Sequence, residues 1–496
     1  MNRLYSAVLN GLSIVDVCIE ATFTRGLPGV SIVGLASNDV QESKDRVKSA
    51  LLTNSYKFPP LKITINLSPS GVKKSGTHLD LAMALLIATK DDMHSCDFYI
   101  FGELGLDGKV KHSNDIFPII LDLKQKGLLH AALVPKESMP YLKMIDGVEF
   151  FAVQDLKEAI DTLKDPKNPY KKDKKDDASF VINSQPYYVH KKYTYDFIDV
   201  KGQEVAKRAA LIAAAGMHNL LLEGSPGCGK SMIAKRVPFI MPPMSENEIL
   251  TVAKNQFLDN KEPTFQAIRP FVAPHNSATK ASLFGGGSVH AKIGEVAMAH
   301  KGVLFFDELP HFQKSSLESL REPLQDRTIH ISRVNAKIKY ETDFLFVGAM
   351  NPCPCGNLFS TTKECRCSDI EIKRYKNRLS QPLLDRIELY VSMQEVSKDD
   401  RATLSSDKMH KKVFEAFKMQ KSRGQQQFNG KLDEWEIEKH CKLKDSQIIF
   451  DAIDRFGLTH RSINSIKKVA RTIADLENSI DIEKKHLLEA LSFRKR

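Results

Sequence analysis

The chain has no apolar run of about 18 residues, so no membrane-spanning helix is expected. The opening MNRLYSAVLNGLSIVDV has too short an apolar core, interrupted by Asp16, and no signal peptide is expected. Cysteine is scarce, with 8 in 496 residues. Without a secretory signal, that usage points to reduced thiols and a cytoplasmic setting. Internal repeats and low-complexity tracts are missing, and the glutamine-rich stretch at 424–427 reads as a short loop. Acidic residues are in deficit, 61 against 72 basic ones, for a net charge of +11. That favours an anionic partner, but the excess is modest for so long a chain, so composition makes nucleic acid only one option. The length predicts about two to four domains, and an apolar fraction of 42% is enough for globular cores.

What is present begins with LLLEGSPGCGKS at 220–231. An apolar strand runs into Gly224, a glycine-rich turn of Ser225, Pro226, Gly227, Cys228 and Gly229 follows, and Lys230 and Ser231 open a helix expected over 232–237. This is the phosphate-binding P-loop in its required strand-turn-helix context. The turn aims backbone N–H groups at phosphate oxygens, and the helix start adds partial positive charge. Lys230 can reach the β- and γ-phosphates of ATP, and Ser231 can ligate magnesium. Cys228 is either a spacer or an oxidation-sensitive thiol inside the loop.

Further on, GVLFFDEL at 302–309 reads as a buried strand that ends in two carboxylates. Asp307 would hold magnesium through water, and Glu308 would orient and deprotonate the attacking water. A third strand, FLFVGAM at 344–350, ends in Asn351, whose amide can bond the γ-phosphate and the water. Next, LLDR at 383–386 supplies Arg386. That arginine either reaches a neighbouring subunit's ATP or pairs with Asp385 or Glu388.

Cys353, Cys355, Cys365 and Cys367 form two C-x-C pairs. Four thiolates can close a tetrahedral structural zinc site. The alternative is four free thiols in a surface loop. Cys18, Cys96 and Cys441 are scattered.

Residues 1–163 read as one α/β domain. Strands are expected near 13–23, 30–33, 62–66 and 98–102, and helices over 40–53 and 79–89. The stretch 164–194 opens as KDPKNPYKKDKKDDAS and reads as a charged linker. A lysine patch for DNA is the other reading there, although Asp alternates with Lys. The ATPase core is placed at 195–396, with the cysteine insert at 353–367. The rest, 397–496, has helical periodicity at 409–423, 432–440, 446–456, 460–479 and 482–492.

The order of P-loop, Asp-Glu pair, strand-end Asn and LLDR resembles AAA+ ATPases of the magnesium-chelatase clade. More narrowly, DVKGQ at 199–203 with AKR at 206–208, RPF at 269–271 with PH at 274–275, GGGS at 285–288, NPCPCG at 351–356 and VARTIADL at 469–476 resemble the ComM/YifB group of magnesium-chelatase-like proteins. The likeness spans essentially the whole chain. It implies an α/β multidomain protein: a Lon-protease-like domain of ribosomal-S5 type, an AAA+ P-loop core and a C-terminal helical domain. It further implies a ring, taken as hexameric, that acts as a DNA helicase in branch migration during natural transformation. In such a ring Asn351 is sensor 1, Arg386 is the finger in trans and Arg461 is sensor 2 in cis. Arg471 is the second choice for that last role. The sequence departs from the group at Asn276, where a second histidine commonly follows His275, and mildly at Phe306 and His311.

The segments VKKSGTH at 72–78, GEL at 102–104, GKV at 108–110 and LVPK at 133–136 carry the Lon-like resemblance. A protease of that type needs a serine activated by a lysine. Those positions fall at His78 and near Phe117, so a non-proteolytic platform is expected. Lys73 and Lys74 are either phosphate contacts or solvated charges. Helicases of this clade carry pore hairpins, and RTIHISRVNAKIKY at 327–340 alternates like one, with a turn at 334–336 and basic His330, Arg333, Lys337 and Lys339. The glycine-rich 273–293 adds Lys280, His290 and Lys292. Both could grip DNA phosphates in a salt-sensitive way, or merely carry solvated lysines. No base-reading motif is present, so sequence-tolerant binding is expected. Two further readings stay open: a non-motor ATPase switch with a protein partner, and a magnesium-chelatase motor subunit.

Overall fold

A computed structural model describes residues 2–11, 13–91, 98–170, 179–190, 192–286, 292–332, 337–397, 399–443 and 458–494. The helix expected at 446–456, Cys96, His290, Arg333, the hairpin turn at 334–336 and part of the charged linker lie outside the described residues. The side chains of Lys292 and Lys337 do too. Packing divides the chain into two units. One holds 1–176 with 253–265 and 330–339, and the other holds 177–252, 266–329 and 340–496.

The first unit is built on a seven-stranded mixed sheet. Its spatial order is Gly29–Val33, Lys62–Ser68, Ser13–Thr24, Asn2–Asn10, Tyr99–Ile100, Ala131–Pro135 and Glu149–Val153. The strand Lys62–Ser68 alternates buried and partly exposed positions, as a sheet with one covered face requires. The helix Asp80–Ala88 is apolar on almost every side and nearly all buried. Asp80 is the exception. Its fully buried carboxylate accepts from Arg46 Nε at 2.7 Å and from the Ser43 hydroxyl. Sequence reading missed the strand Asn2–Asn10, which pairs antiparallel along its full length with Ser13–Thr24. The fourth expected strand, 98–102, is shortened to Tyr99–Ile100.

In the second unit five parallel strands stand in the order Phe271–Val272, Val303–Phe306, Leu345–Met350, Leu220–Gly224, Leu389–Met393. The three central strands are buried at every position. That explains their near-continuous apolar sequence, since a parallel sheet is covered on both faces. The chain runs from the P-loop strand to the far edge at Phe271, steps back through Val303 and Leu345, and then places Leu389 on the other side. Such a sheet collects ligand groups beyond the carboxyl ends of its strands.

The helices Ser406–Ser422, Glu434–His440, His460–Leu476 and Lys484–Ser492 follow. They do not form a separate core. Met409, Val413, Val469, Ile473 and Leu487 share one apolar cluster with Leu220, Leu222, Val347 and Val391. Among the described residues no helix is long and apolar enough to cross a membrane.

Candidate nucleotide site

The P-loop folds as its sequence requires. Leu220–Gly224 ends at the turn, and a helix over Lys230–Arg236 leaves it. Gly229 sits at φ 97°, and a Cβ there would meet nothing within 4 Å. The glycine is therefore needed for its left-handed backbone and not for space. Lys230 is mostly buried, and its ammonium donates to the carbonyls of Gly224 at 2.6 Å and Ser225 at 3.0 Å. A third bond, 3.2 Å, goes to Asn351 Oδ1 at the end of the Leu345–Met350 strand. Burial lowers the Lys230 pKa, and the charges of Cys228, Asp307 and Glu308 partly oppose that. The buried Ser225 hydroxyl has no hydrogen-bond partner among the described residues.

Ser231 Oγ donates to Asp307 Oδ2 at 2.8 Å. A hydroxyl and a carboxylate in contact beside the phosphate turn are the donor set of a magnesium site. Glu308 takes φ 49°, an uncommon backbone for a non-glycine residue. Its Oε2 accepts from Asn276 Nδ2 at 3.0 Å. Asn276, which sequence reading noted only as a departure, is thus the residue that holds the second carboxylate. Burial pushes the neighbouring Cys228 thiol up, and no disulfide is formed by it.

Arg386 and Arg461 are elsewhere. Neither has a carboxylate within 4 Å among the described residues. Asp385 is engaged by Gln381 at 2.7 Å, and Glu388 by the Asn219 N–H at 2.8 Å. So the pairing of Arg386 with Asp385 or Glu388 is not what the fold contains. Instead Gln325 Oε1 accepts from Arg386 Nη2 and, at 3.3 Å, from Arg461 Nη2. The two arginines line one cavity of about 560 Å³ to which no P-loop residue and neither Asp307 nor Glu308 contributes. Arg461, expected to serve its own chain's nucleotide, thus touches none of the residues of its own P-loop site. Its helix, His460–Leu476, aims it to the same side as Arg386. Arg471, the alternative, is buried. It donates to Asp475 Oδ1 at 3.1 Å, Ile480 O at 2.7 Å and Ser479 O at 2.5 Å. Those partners consume it in capping the helix end, which makes it structural.

The four cysteines converge as two C-x-C pairs. Sγ of Cys353 lies 3.4 Å from that of Cys355 and 3.7 Å from that of Cys365, and Cys355 is 3.6 Å from Cys365. All four sulfurs fall within 4.8 Å of one another. A zinc ion with Zn–S bonds of about 2.3 Å spaces its ligands by about 3.8 Å, so the cluster fits a tetrahedral metal. Backbone N–H groups of Asn357 and Arg366 lower the Cys355 pKa to about 6, whereas burial and the neighbouring thiols push Cys365 up and Cys367 up to about 12. Sequence reading did not foresee how this loop touches the nucleotide site. A Cβ on Gly356 would lie 2.7 Å from Pro226 Cδ of the P-loop. The helix that follows, Asp369–Lys376, sends Lys376 to the buried Glu223 at 2.9 Å.

In the first unit His78 is fully buried, with Nε2 2.9 Å from the Ala7 carbonyl. Phe117 stacks on Phe257 at 4.9 Å. Neither position offers the serine nucleophile or the lysine base of that protease type. Lys74 is also buried, its ammonium on the Pro69 carbonyl, so it is not available as a phosphate contact, whereas Lys73 is exposed. The basic hairpin Thr328–Ser332 with Lys337–Glu341 forms as expected.

A parallel sheet with this strand order, a P-loop, an adjoining carboxylate pair and a strand-end amide define a P-loop AAA+ ATPase of magnesium-chelatase type. Three family descriptions match along the chain: "Subunit ChlI of Mg-chelatase" at 19–138, "Magnesium chelatase, subunit ChlI" at 196–401, and "Magnesium chelatase, subunit ChlI C-terminal" at 403–494. Competence protein ComM of Haemophilus influenzae is 36% identical over 507 residues, covering 99% of this chain and 97% of the relative. The uncharacterized protein YifB of Escherichia coli is 36% identical over 497 residues, covering 98% and 95%. A magnesium-chelatase 67 kDa subunit of Chlorobaculum parvum is 24% identical over 167 residues, only 32% of this chain and 23% of its own. The chain belongs to the ComM/YifB family of magnesium-chelatase-like proteins.

Proposed function

We propose that this chain is an ATP-driven DNA motor that works as a cytoplasmic ring, taken as a hexamer, on single-stranded or branched DNA. The observation that carries the ring is the placement of Arg386 and Arg461 together in a cavity separate from their own P-loop. A pocket built on Lys230, Asp307 and Glu308 then needs arginines from the next subunit. In this reading Arg386 and Arg461 both act in trans.

Lys230 leaves the carbonyls of Gly224 and Ser225 to bind the β- and γ-phosphates, and Ser225 can turn its unpartnered hydroxyl to the same oxygens. Ser231 and Asp307 would hold magnesium, which when bound neutralises phosphate charge. Asn351, released from Lys230, bonds the γ-phosphate and orients water, and Glu308 takes the proton of that water. The carboxylate must first leave Asn276 to do so. Arg386 and Arg461 of the neighbour stabilise charge on the transferred phosphoryl group. A zinc ion on Cys353, Cys355, Cys365 and Cys367 would stiffen the loop between Asn351 and Arg386.

The domain reading follows from the same family: a non-proteolytic Lon-like domain at 1–163, a linker at 164–194, the AAA+ core at 195–396 and a helical lid at 397–496. DNA is favoured by the net charge of +11, by exposed His330 and Lys339 on the hairpin, and by a relative named for competence. Branch migration during the uptake of DNA is the specific role inferred. The test is ATP-dependent strand displacement on forked and four-way DNA, with Glu308→Gln as control. The expected result is displacement that needs Glu308 and hydrolysis that DNA stimulates. Hydrolysis indifferent to DNA would instead favour a switch acting on a protein partner.

A further inference from the structure

Two of the guanidinium groups in this corner of the fold are only half satisfied. Gln325, whose side-chain oxygen receives both Arg386 and Arg461, lies in the short helix Arg321–Asp326. Arg321 stands one turn before it, on the same helix face. Glu318 accepts from Arg321 Nη1 at 3.1 Å. The Nε atoms of Arg321 and Arg386 are both buried, and neither has an acceptor among the described residues. The Arg321 side chain as a whole is 42% exposed, so it opens outward.

Arg386 and Arg461 thus share one neutral acceptor, and Arg321 stands one helical turn away, paired with Glu318. Burial, and then the like charges of Arg461 and Arg321, hold the Arg386 pKa below its ordinary value. Only Arg321 has a carboxylate partner among the three. A fold does not concentrate unpaired guanidinium groups for its own stability, because each resists the others. Such a cluster is complementary to a polyanion, and planar guanidinium forks match phosphate oxygens. The cavity of about 560 Å³ beside it has room for a phosphate tail presented from outside.

We propose that Arg321 is a third arginine of the surface each subunit presents to its neighbour, donating beside Arg386 and Arg461 to phosphate oxygens of the ATP held on the neighbour's Lys230. This rests on the trans reading of Arg386. Arg386 and Arg461 come from motifs visible in the sequence, whereas Arg321 is assigned from the geometry alone.

The experiment mixes subunits. Lys230→Ala subunits keep all arginines but have a dead pocket. Arg321→Ala subunits keep the pocket but lack the arginine. Each alone is expected to hydrolyse ATP roughly 10²-fold more slowly than the unaltered protein or worse. In an equal mixture about a quarter of head-to-tail interfaces join an intact pocket to an intact Arg321, and turnover returns in that proportion. Arg386→Ala mixed with Lys230→Ala is run alongside, and Arg321→Lys tests whether charge without the forked geometry suffices; poor rescue is expected.

Full activity of Arg321→Ala by itself would overturn the proposal. So would absence of rescue when the Arg386→Ala mixture is rescued, since that leaves the trans reading standing and Arg321 outside it. If neither mixture is rescued, the trans reading falls and takes this proposal with it. Normal turnover with weakened DNA binding would reassign the cluster to DNA phosphates.

Discussion

Arginine shows most plainly how one residue type does unlike work in this chain. Arg471 is buried and fully engaged by Asp475 and two carbonyls at the end of its helix, and Arg423 shares the same carboxylate at 2.6 Å. Arg461, ten positions earlier in the same helix (461 against 471), is exposed and touches only Gln325 among its described side-chain partners. Removing Arg471 takes one of two guanidinium partners from Asp475 and leaves the carbonyls of Ser479 and Ile480 without that donor, which costs about 1–3 kcal/mol. Arg471→Ala is therefore expected to lower the urea midpoint sharply. Arg461→Ala is expected to change stability by no more than about 0.5 kcal/mol while slowing ATP turnover roughly 10²-fold. Equal unfolding curves for the two variants would contradict this division. Spacing could not separate them, because both lie in one amphipathic helix and only burial distinguishes a cap from a reaching side chain.

At the scale of elements, the cysteine loop is a buttress of the phosphate turn. Its Gly356 has φ +80° and faces Pro226 at a distance that leaves no room for a Cβ. Gly356→Ala is expected to weaken nucleotide binding about tenfold, because the added methyl strains the backbone and displaces the P-loop. A metal held by the four cysteines is expected to stay bound, since no sulfur is altered. Stripping the metal with a chelator is expected to weaken nucleotide binding as well, by freeing the loop. Fluorescent-nucleotide titration with metal analysis checks both, and tight nucleotide binding by metal-free protein would refute the buttress. The C-x-C spacing revealed the thiolate cluster. It did not reveal that the cluster leans on Pro226 or that Lys376 beyond it reaches Glu223, because both contacts join segments far apart in sequence.

For the whole molecule, the proposed division of each pocket between two chains has a direct consequence. ATP turnover per subunit is expected to fall on dilution, as neighbours separate and the arginines leave. A rate per subunit constant down to concentrations at which size measurements find monomers would contradict it. Magnesium-nucleotide is expected to oppose dissociation by bridging the interface.

The central sheet and the residues at its strand ends were legible in the order of residues alone. Fully buried parallel strands must be written as continuous apolar runs, and the P-loop, Asp307, Glu308 and Asn351 each stand where such a run ends. Local chemistry was enough there, since strand, turn and ligand follow one another along the chain. The long strand Asn2–Asn10 escaped notice because its partner strand, not its own alternation, defines it. Spacing along the chain left open that Arg461 shares Gln325 with Arg386, that Arg471 caps its helix end, and that Asn276 holds Glu308. Those roles depend on burial and on contacts between distant segments, which residue spacing does not encode.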